Sequence, residues 1–257
     1  MIDLWLRSGT IGIIVAPFVV FFALSAMITW ITFRSPARPF FASCIGIAGP
    51  FFVSVGVLFS LFAAFLANDV WRQLERAQLA VALEADGIRT ILRLAEAEGE
   101  IGKPLEAAAL NYTNLVVTSE WPAMQTGKES SEALAALQGL ALALVSKEFA
   151  SNAPVAFQQA AVDAFVEIRH ARTDRIAISS RRGQSINWLG MVFLGVLTQV
   201  AVAVVHLEKL RPQALALTVF TFAFAATVAL IGLNERPFAG VPIDSTPLNA
   251  AAATAAR

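Results

Sequence analysis

An all-α fold, with four transmembrane helices and a helical-bundle domain inserted between spans 2 and 3, follows from three observations. Four uncharged apolar runs occur, at residues 11–33, 44–68, 186–205 and 213–233. Each is about the 20 residues that cross a hydrocarbon core of roughly 30 Å as a helix. Between the middle two runs, residues 69–182 carry charges at helical spacing and no alternating strand pattern. Finally, only 15% of the chain is charged and 57% is hydrophobic, with a mean hydropathy of +0.65. That charged fraction is well below the roughly 25% of a soluble domain, so much of the surface must face lipid. The predicted divisions are a transmembrane hairpin at 11–67, a helical extramembrane domain at 68–183, a second hairpin at 186–233 and a C-terminal tail at 234–257.

The first run follows Arg7, and Ala23 and Ser25 within it would suit a cleaved signal peptide. It continues past the usual core of about 7–15 apolar residues, however, and stops at Arg34 like a membrane anchor. It is therefore read as a span, with Pro17 tolerated inside it. Two prolines and two arginines in Arg34-Ser-Pro-Ala-Arg38-Pro39 make a short, stiff turn into the second span, which begins at Cys44 and passes Gly49-Pro50. Phe52, Val55, Phe59, Phe62 and Leu66 recur there at helical spacing and share one face. That stripe has two readings. It lines a pore as a hydrophobic constriction, with Phe52, Val55, Phe59 and Phe62 as candidates, or it meets lipid and neighbouring helices.

Beyond Asn68 the helix is expected to continue without a break, because Val70, Leu74, Ala77, Val81, Glu84, Ile88, Leu92 and Ala95 keep the three-and-four step of one buried face. Glu84 is the misfit on that stripe. Gly99 and Gly102 stop this helix, and Pro104 opens one that runs to Trp121-Pro122. Ser130 or Ser131 caps the next, through about Val145, and Asn152 and Pro154 start a long helix to Arg182. On it Ala161, Phe165, Ile168, Arg172, Arg175, Ser179 and Arg182 share a face. In the third span Trp188 is an interfacial anchor, and Gln199 is either an interhelical hydrogen-bonding group or a selectivity element. The tail is Pro-, Gly- and Ala-rich, and its last ten residues are expected to be disordered.

If the two long charged helices run antiparallel from a common level, Glu84 lies beside about residue 168, within reach of Arg169 and Arg172, and Glu75 approaches Arg175. One reading is a ladder of ion pairs that fixes helix register. The other makes Arg172, Arg175 and Arg182, repeated around an oligomer, a cationic vestibule that concentrates anions. Arg236, directly after the fourth span, is an interfacial anchor or part of the same anion mouth. Four spans put both termini and the helical domain on one side. Basic residues flank both faces, with Arg34, Arg38, Lys209 and Arg211 opposite Arg7, Arg72, Arg76, Arg181, Arg182 and Arg236, so charge counts leave that side open.

Several pieces together resemble the bestrophin-like family of bacterial membrane proteins, a family of unknown function distinct from the true bestrophins. They are Val70-Trp71, Ala80-Val81, Glu84-Ala85, Leu92 to Ala95, Glu120-Trp121-Pro122 with Met124 and Gly127, Arg172, Arg175, Ser179, Trp188, and the closing Arg236-Pro237-Phe238, Gly240, Ser245 and Pro247-Leu248. The resemblance covers about residues 44–248. True bestrophins are pentameric anion channels, so the resemblance implies a homo-oligomeric channel for small inorganic anions. The chain departs from them in carrying Arg-Pro-Phe at 38–40 and 236–238 where they carry Arg-Phe-Pro, and in lacking an acidic run suited to calcium.

No nucleophile–base signature, phosphate loop or metal-protease motif occurs, so an enzyme is not expected. Two histidines and one cysteine do not make a zinc cluster, and no cofactor is expected. Zero formal charge argues against nucleic acid. The expected partners are membrane lipid and further copies of the chain, in a bacterial inner membrane. The competing functional reading is a non-conducting sensor or scaffold acting through its helical domain.

Overall fold

The computed structural model describes residues 5–6, 8–36, 38–43, 50–180, 185–239 and 243–253. The expected start of the second span at Cys44, Gly49 before Pro50, and Arg182 at the end of the long arginine helix lie outside those residues. Among the described residues every regular element is a helix. In chain order they are α1 (Gly9–Arg34), α2 (Arg38–Ser43), α3 (Pro50–Ala97), α4 (Lys103–Leu115), α5 (Trp121–Gln125), α6 (Ser131–Leu144), α7 (Lys147–Asn152), α8 (Val155–Ser180), α9 (Ser185–Val205), α10 (Leu210–Asn234) and α11 (Thr246–Ala253). A 3-10 turn at Gly99–Ile101 and a π-helical turn at Val116–Glu120 complete the set. The chain divides into two compact units, Met1–Arg72 with Arg182–Arg236, and Gln73–Arg181 with Pro237–Arg257.

In the first unit α1 packs along most of α10, with α9 beside them. The core is built on Phe224, whose ring lies 4.2 Å from that of Phe21 and 5.2 Å from that of Phe59. Gly195 gives this ring its room, since a Cβ there would sit 2.2 Å from the Phe224 ring edge. Polar groups tie the helices across this apolar interior. The Gln199 amide donates to the hydroxyls of Thr221 (2.9 Å) and Ser25 (3.0 Å), which bond each other at 2.6 Å. Gln213 donates to the Ala203 carbonyl at 2.8 Å and accepts from Thr32 at 3.2 Å. Pro17 sits buried within an unbroken α1, as a membrane span allows. The outward surface remains apolar, with Ile11, Val19, Phe193, Leu215 and Phe222 all exposed. A surface of that character belongs in lipid.

Among the described residues five helical stretches are apolar and long enough to cross a membrane by length and composition: Gly9–Arg34, Phe52–Ala97, Ser131–Asn152, Ile186–Val205 and Leu210–Asn234. The third is one more than the sequence predicts. It is two helices, α6 and α7, interrupted at Val145-Ser146. The longer of these has 14 residues, about 21 Å at 1.5 Å per residue.

The second unit closes around a core that includes Ala77, Val81, Ile88 and Leu92 of α3, Leu105 and Ala109 of α4, Leu137 and Leu140 of α6, and Ile168 of α8. As expected, α3 continues from the first unit to Ala97 without interruption. Gly87 lets α8 close against it: a Cβ there would lie 2.7 Å from the Ile168 side chain and 3.0 Å from the Ala164 carbonyl oxygen. Ser130, rather than Ser131, caps α6 by accepting from the Ala133 N–H. Trp121-Pro122 does not end a helix but starts one, because the π turn before it shifts the backbone pairing and Pro122 then falls in the first turn of α5. The tail also differs from expectation. Phe238, Ile243, Leu248 and Ala251 are buried in this core, and α11 occupies much of the stretch expected to be disordered. The amphipathic pattern of that stretch is only one helix turn of Leu and Ala, too short to read alone.

Replacing Gly87 with valine is predicted to destabilise the second unit by about 1–3 kcal/mol through overpacking. A fall in the melting temperature of the detergent-purified variant checks it, and Gly139→Val, at a position with open space around its Cα, is the control.

Candidate functional site

Among the described residues the second unit buries four charged side chains. Glu84 on α3 is 0% exposed, Glu120 at the end of the π turn 0%, Arg175 on α8 0% and Arg172 on α8 6%. Each falls on an apolar stripe, so helix formation alone carries it inward. Arg175 forms a fork with Glu84, its Nε donating to Oε2 at 2.7 Å and its Nη2 to Oε1 at 2.9 Å. The same Nη2 donates to Glu120 Oε1 at 2.8 Å. Arg172 donates through Nε to both Glu120 oxygens, at 3.2 and 3.1 Å, and through Nη2 to Oε2. The Tyr112 hydroxyl donates to Glu84 Oε1 at 2.5 Å. Trp121 covers the Arg175 guanidinium, 5.7 Å from ring centroid to charge, and the Met124 sulfur faces Nη1.

Two carboxylates and two guanidiniums leave this cluster with no net charge. Desolvating each ion costs several kcal/mol, and only close pairing with satisfied donors offsets that. Burial alone would lower the pKa of Arg175, but the Glu84 charge and the hydrogen bonds to it raise it and hold the group protonated. Burial, and then the neighbouring Glu84 carboxylate, raise the Tyr112 hydroxyl well above its ordinary value, outweighing the opposing pull of Arg175. Tyr112 therefore stays a neutral donor.

The expected ladder is paired differently. Glu84 meets Arg175 instead of Arg169 or Arg172, and Arg175 meets Glu84 and Glu120 instead of Glu75. The backbone register is close to that expected, since Gly87 rests on Ala164 and Ile168. Side chains of a helix lean toward its own N-terminus, and in an antiparallel pair both leans carry Glu84 and Arg175 toward the same level. Arg169 is exposed and takes no part in the network. Arg172, freed from Glu84, is held by Glu120.

Glu120, Tyr112 and Met124 are members of the buried network that the reading of the stripes missed. Leu105, Ala109, Tyr112, Val116 and Glu120 step by four, three, four and four, the signature that exposed Glu84 on α3. Arg236 follows α10 in the first unit and is half-buried.

In the first unit the stripe read as either pore lining or a packing face turns, in part, toward the helices of its own chain. Phe59 meets the Phe220 and Phe224 rings edge to face, at 5.9 and 5.2 Å between centroids. Ala63, Leu66 and Val70 continue that face into the core. Phe52 and Val55 are half-buried, and Phe62 lies at its edge beside Gly190. The opposite side of the helix points outward, with Val57 59% exposed, Leu61 47% and Phe65 63%.

A family model described as a bestrophin-like domain matches residues 19–242. Among solved structures, a single-substitution variant of a bacterial bestrophin homolog from Klebsiella pneumoniae superposes with a TM-score of 0.72 at 12% identity, covering 94% of this chain and 95% of that chain. Another structure of the same homolog gives a TM-score of 0.71 at 13% identity over 94% and 95% of the two chains. At such identities the likeness is one of fold. No curated protein sequence matches the chain.

Arg175→Met leaves two buried carboxylates facing one guanidinium and is predicted to cost about 3–5 kcal/mol. Arg172→Gln, at the rim of the cluster, is predicted to cost less; chemical denaturation in micelles ranks the two. The neutral Tyr112 contributes its full stabilisation below its unfolded pKa of about 10 and loses it as pH rises toward the higher folded value. The melting temperature is therefore predicted to fall above about pH 10, and Tyr112→Phe to flatten that fall.

Proposed function

The chain belongs to the bestrophin-like family, and from that membership we propose that it is a four-span bacterial membrane protein whose copies assemble around a shared, anion-conducting pore. The four spans are α1, the apolar first part of α3, α9 and α10. The fifth apolar stretch is assigned to the second unit, because neither of its two helices reaches the roughly 30 Å of a hydrocarbon core.

The observation that carries the pore is the outward side of α3. Val57, Leu61 and Phe65 recur every fourth residue on it, each more than two-fifths exposed in the single chain. Around a closed ring such residues stack as apolar collars, the kind of constriction that gates by dewetting. This moves the lining from the Phe59 face, which is spent on packing within its own chain, to the opposite face of the same helix. It also reassigns Arg172 and Arg175. With their charges matched by Glu84 and Glu120, they act as a register pin and not as a cationic mouth. The reading includes no catalytic step.

One observation favours the scaffold reading. Leu142, Val145 and Val155 of the second unit are 69%, 70% and 81% exposed, an apolar patch of the sort that contacts partners. Flux separates the two. Liposomes carrying the purified protein are predicted to release chloride faster than empty vesicles, and Leu61→Ser to release it faster still by wetting the collar. Wild-type flux equal to that of empty vesicles would favour the scaffold. In a Cys44→Ala background, cysteine at position 61 is predicted to react with a water-soluble thiol reagent, whereas cysteine at lipid-facing position 219 is protected.

A further inference from the structure

The first unit contains a groove of about 380 Å³ between α1 and α10. Its walls are graded. Phe22, Phe33 and Leu217 make it apolar along its length, and the hydroxyl-bearing Ser25 and Thr218 line it as well. Trp30 and Arg34, one helical turn apart at the end of α1, and Leu210 at the start of α10 close the other end. Leu210 stands in the chain between Lys209 and Arg211, so the two helix ends that close the groove carry three basic residues against Glu208 alone. All three basic side chains are exposed, and among the described residues no carboxylate forms an ion pair with any of them.

An apolar slot beside a span, ending in unpaired cations and an indole at the membrane interface, is complementary to one kind of molecule. We propose that this groove is a binding site for an anionic phospholipid of the bilayer, with one acyl chain between Phe22, Phe33 and Leu217 and the phosphate at Arg34, supported by Lys209 and Arg211. The chemistry is that of basic pockets between transmembrane helices that take lipid headgroups. Trp30 suits the level of the glycerol ester, where indoles partition. Apolar complementarity alone would admit any lipid; the cations are what make the site discriminate. The site is independent of the pore on α3, and it stands whether or not the protein conducts.

Native mass spectrometry of the full chain in detergent, with phosphatidylglycerol or phosphatidylcholine added at equal concentration, tests the assignment. Phosphatidylglycerol is expected to stay bound at least about fivefold better, the effect of roughly one interfacial cation. Arg34→Gln should abolish that preference, whereas Arg93→Gln, an exposed cation of the second unit, should leave it intact. Ala214→Trp fills the groove from an exposed position and should reduce retention of both lipids while the melting curve stays cooperative. Equal retention of the two lipids by the wild type, or an unchanged preference in Arg34→Gln, overturns the proposal. An altered particle mass for Ala214→Trp with phosphatidylglycerol retention untouched assigns the groove to a second copy of the chain and overturns it equally.

Discussion

A buried ion network with zero net charge holds the second unit together, and most of what is specific about that unit follows from it. Three separate segments supply its charges: α3 gives Glu84, the π turn gives Glu120, and α8 gives Arg172 and Arg175. Apolar packing alone would let these helices slide by a turn at modest cost, because stripes of Ala, Val, Ile and Leu are nearly interchangeable. Misplaced by one turn, however, the network would strand charges in a dry interior, each at a cost of several kcal/mol. The ions therefore make one register much better than its neighbours. The π turn has a place in this scheme. It presents Glu120 inward and lets Trp121-Pro122 start a new helix over the guanidinium.

The fold was legible wherever a feature was repeated. Uncharged runs and the long stripe from Val70 to Ala95 announced apolar helices and the continuous α3, because repetition over many residues averages out local exceptions. The charge network was legible in three of its four charges and only partly in its pairing. Glu84, Arg172 and Arg175 stand out as charges on apolar stripes, yet the partner of each depends on which way long side chains lean. Glu120 escaped because the Trp-Pro pair after it reads as a helix end, which hides that its own stripe continues from Leu105. The Phe52–Leu66 stripe was recognised as a face, with its surroundings left open between a pore and neighbouring helices. Spacing shows that residues share a side and leaves open whether that side meets a neighbour, lipid or a pore. The α11 helix was illegible for a different reason: eight residues rich in alanine carry too little amphipathic signal, and burial of Leu248 and Ala251 supplies what propensity does not.

The first unit uses the same materials under opposite solvent rules. Its exterior is apolar, and its interior is held by neutral hydrogen-bonding groups, with Gln199, Ser25 and Thr221 on one level and Gln213 with Thr32 on another. Amides and hydroxyls specify helix contacts in lipid without the cost of burying ions there. The two units thus divide the polar chemistry, with neutral ties in the first and full charges in the second. This division leaves the buried arginines to structure.

A double-mutant cycle joining Glu84→Gln and Arg175→Met, measured as apparent unfolding free energy in micelles, tests the network most directly. If the buried pair sets the register, the two losses are far from additive, with a coupling of at least about 2 kcal/mol, near the upper end for contacting residues. Additive losses, with a coupling near zero, would mean that apolar packing alone fixes the helices and that the ions are passengers.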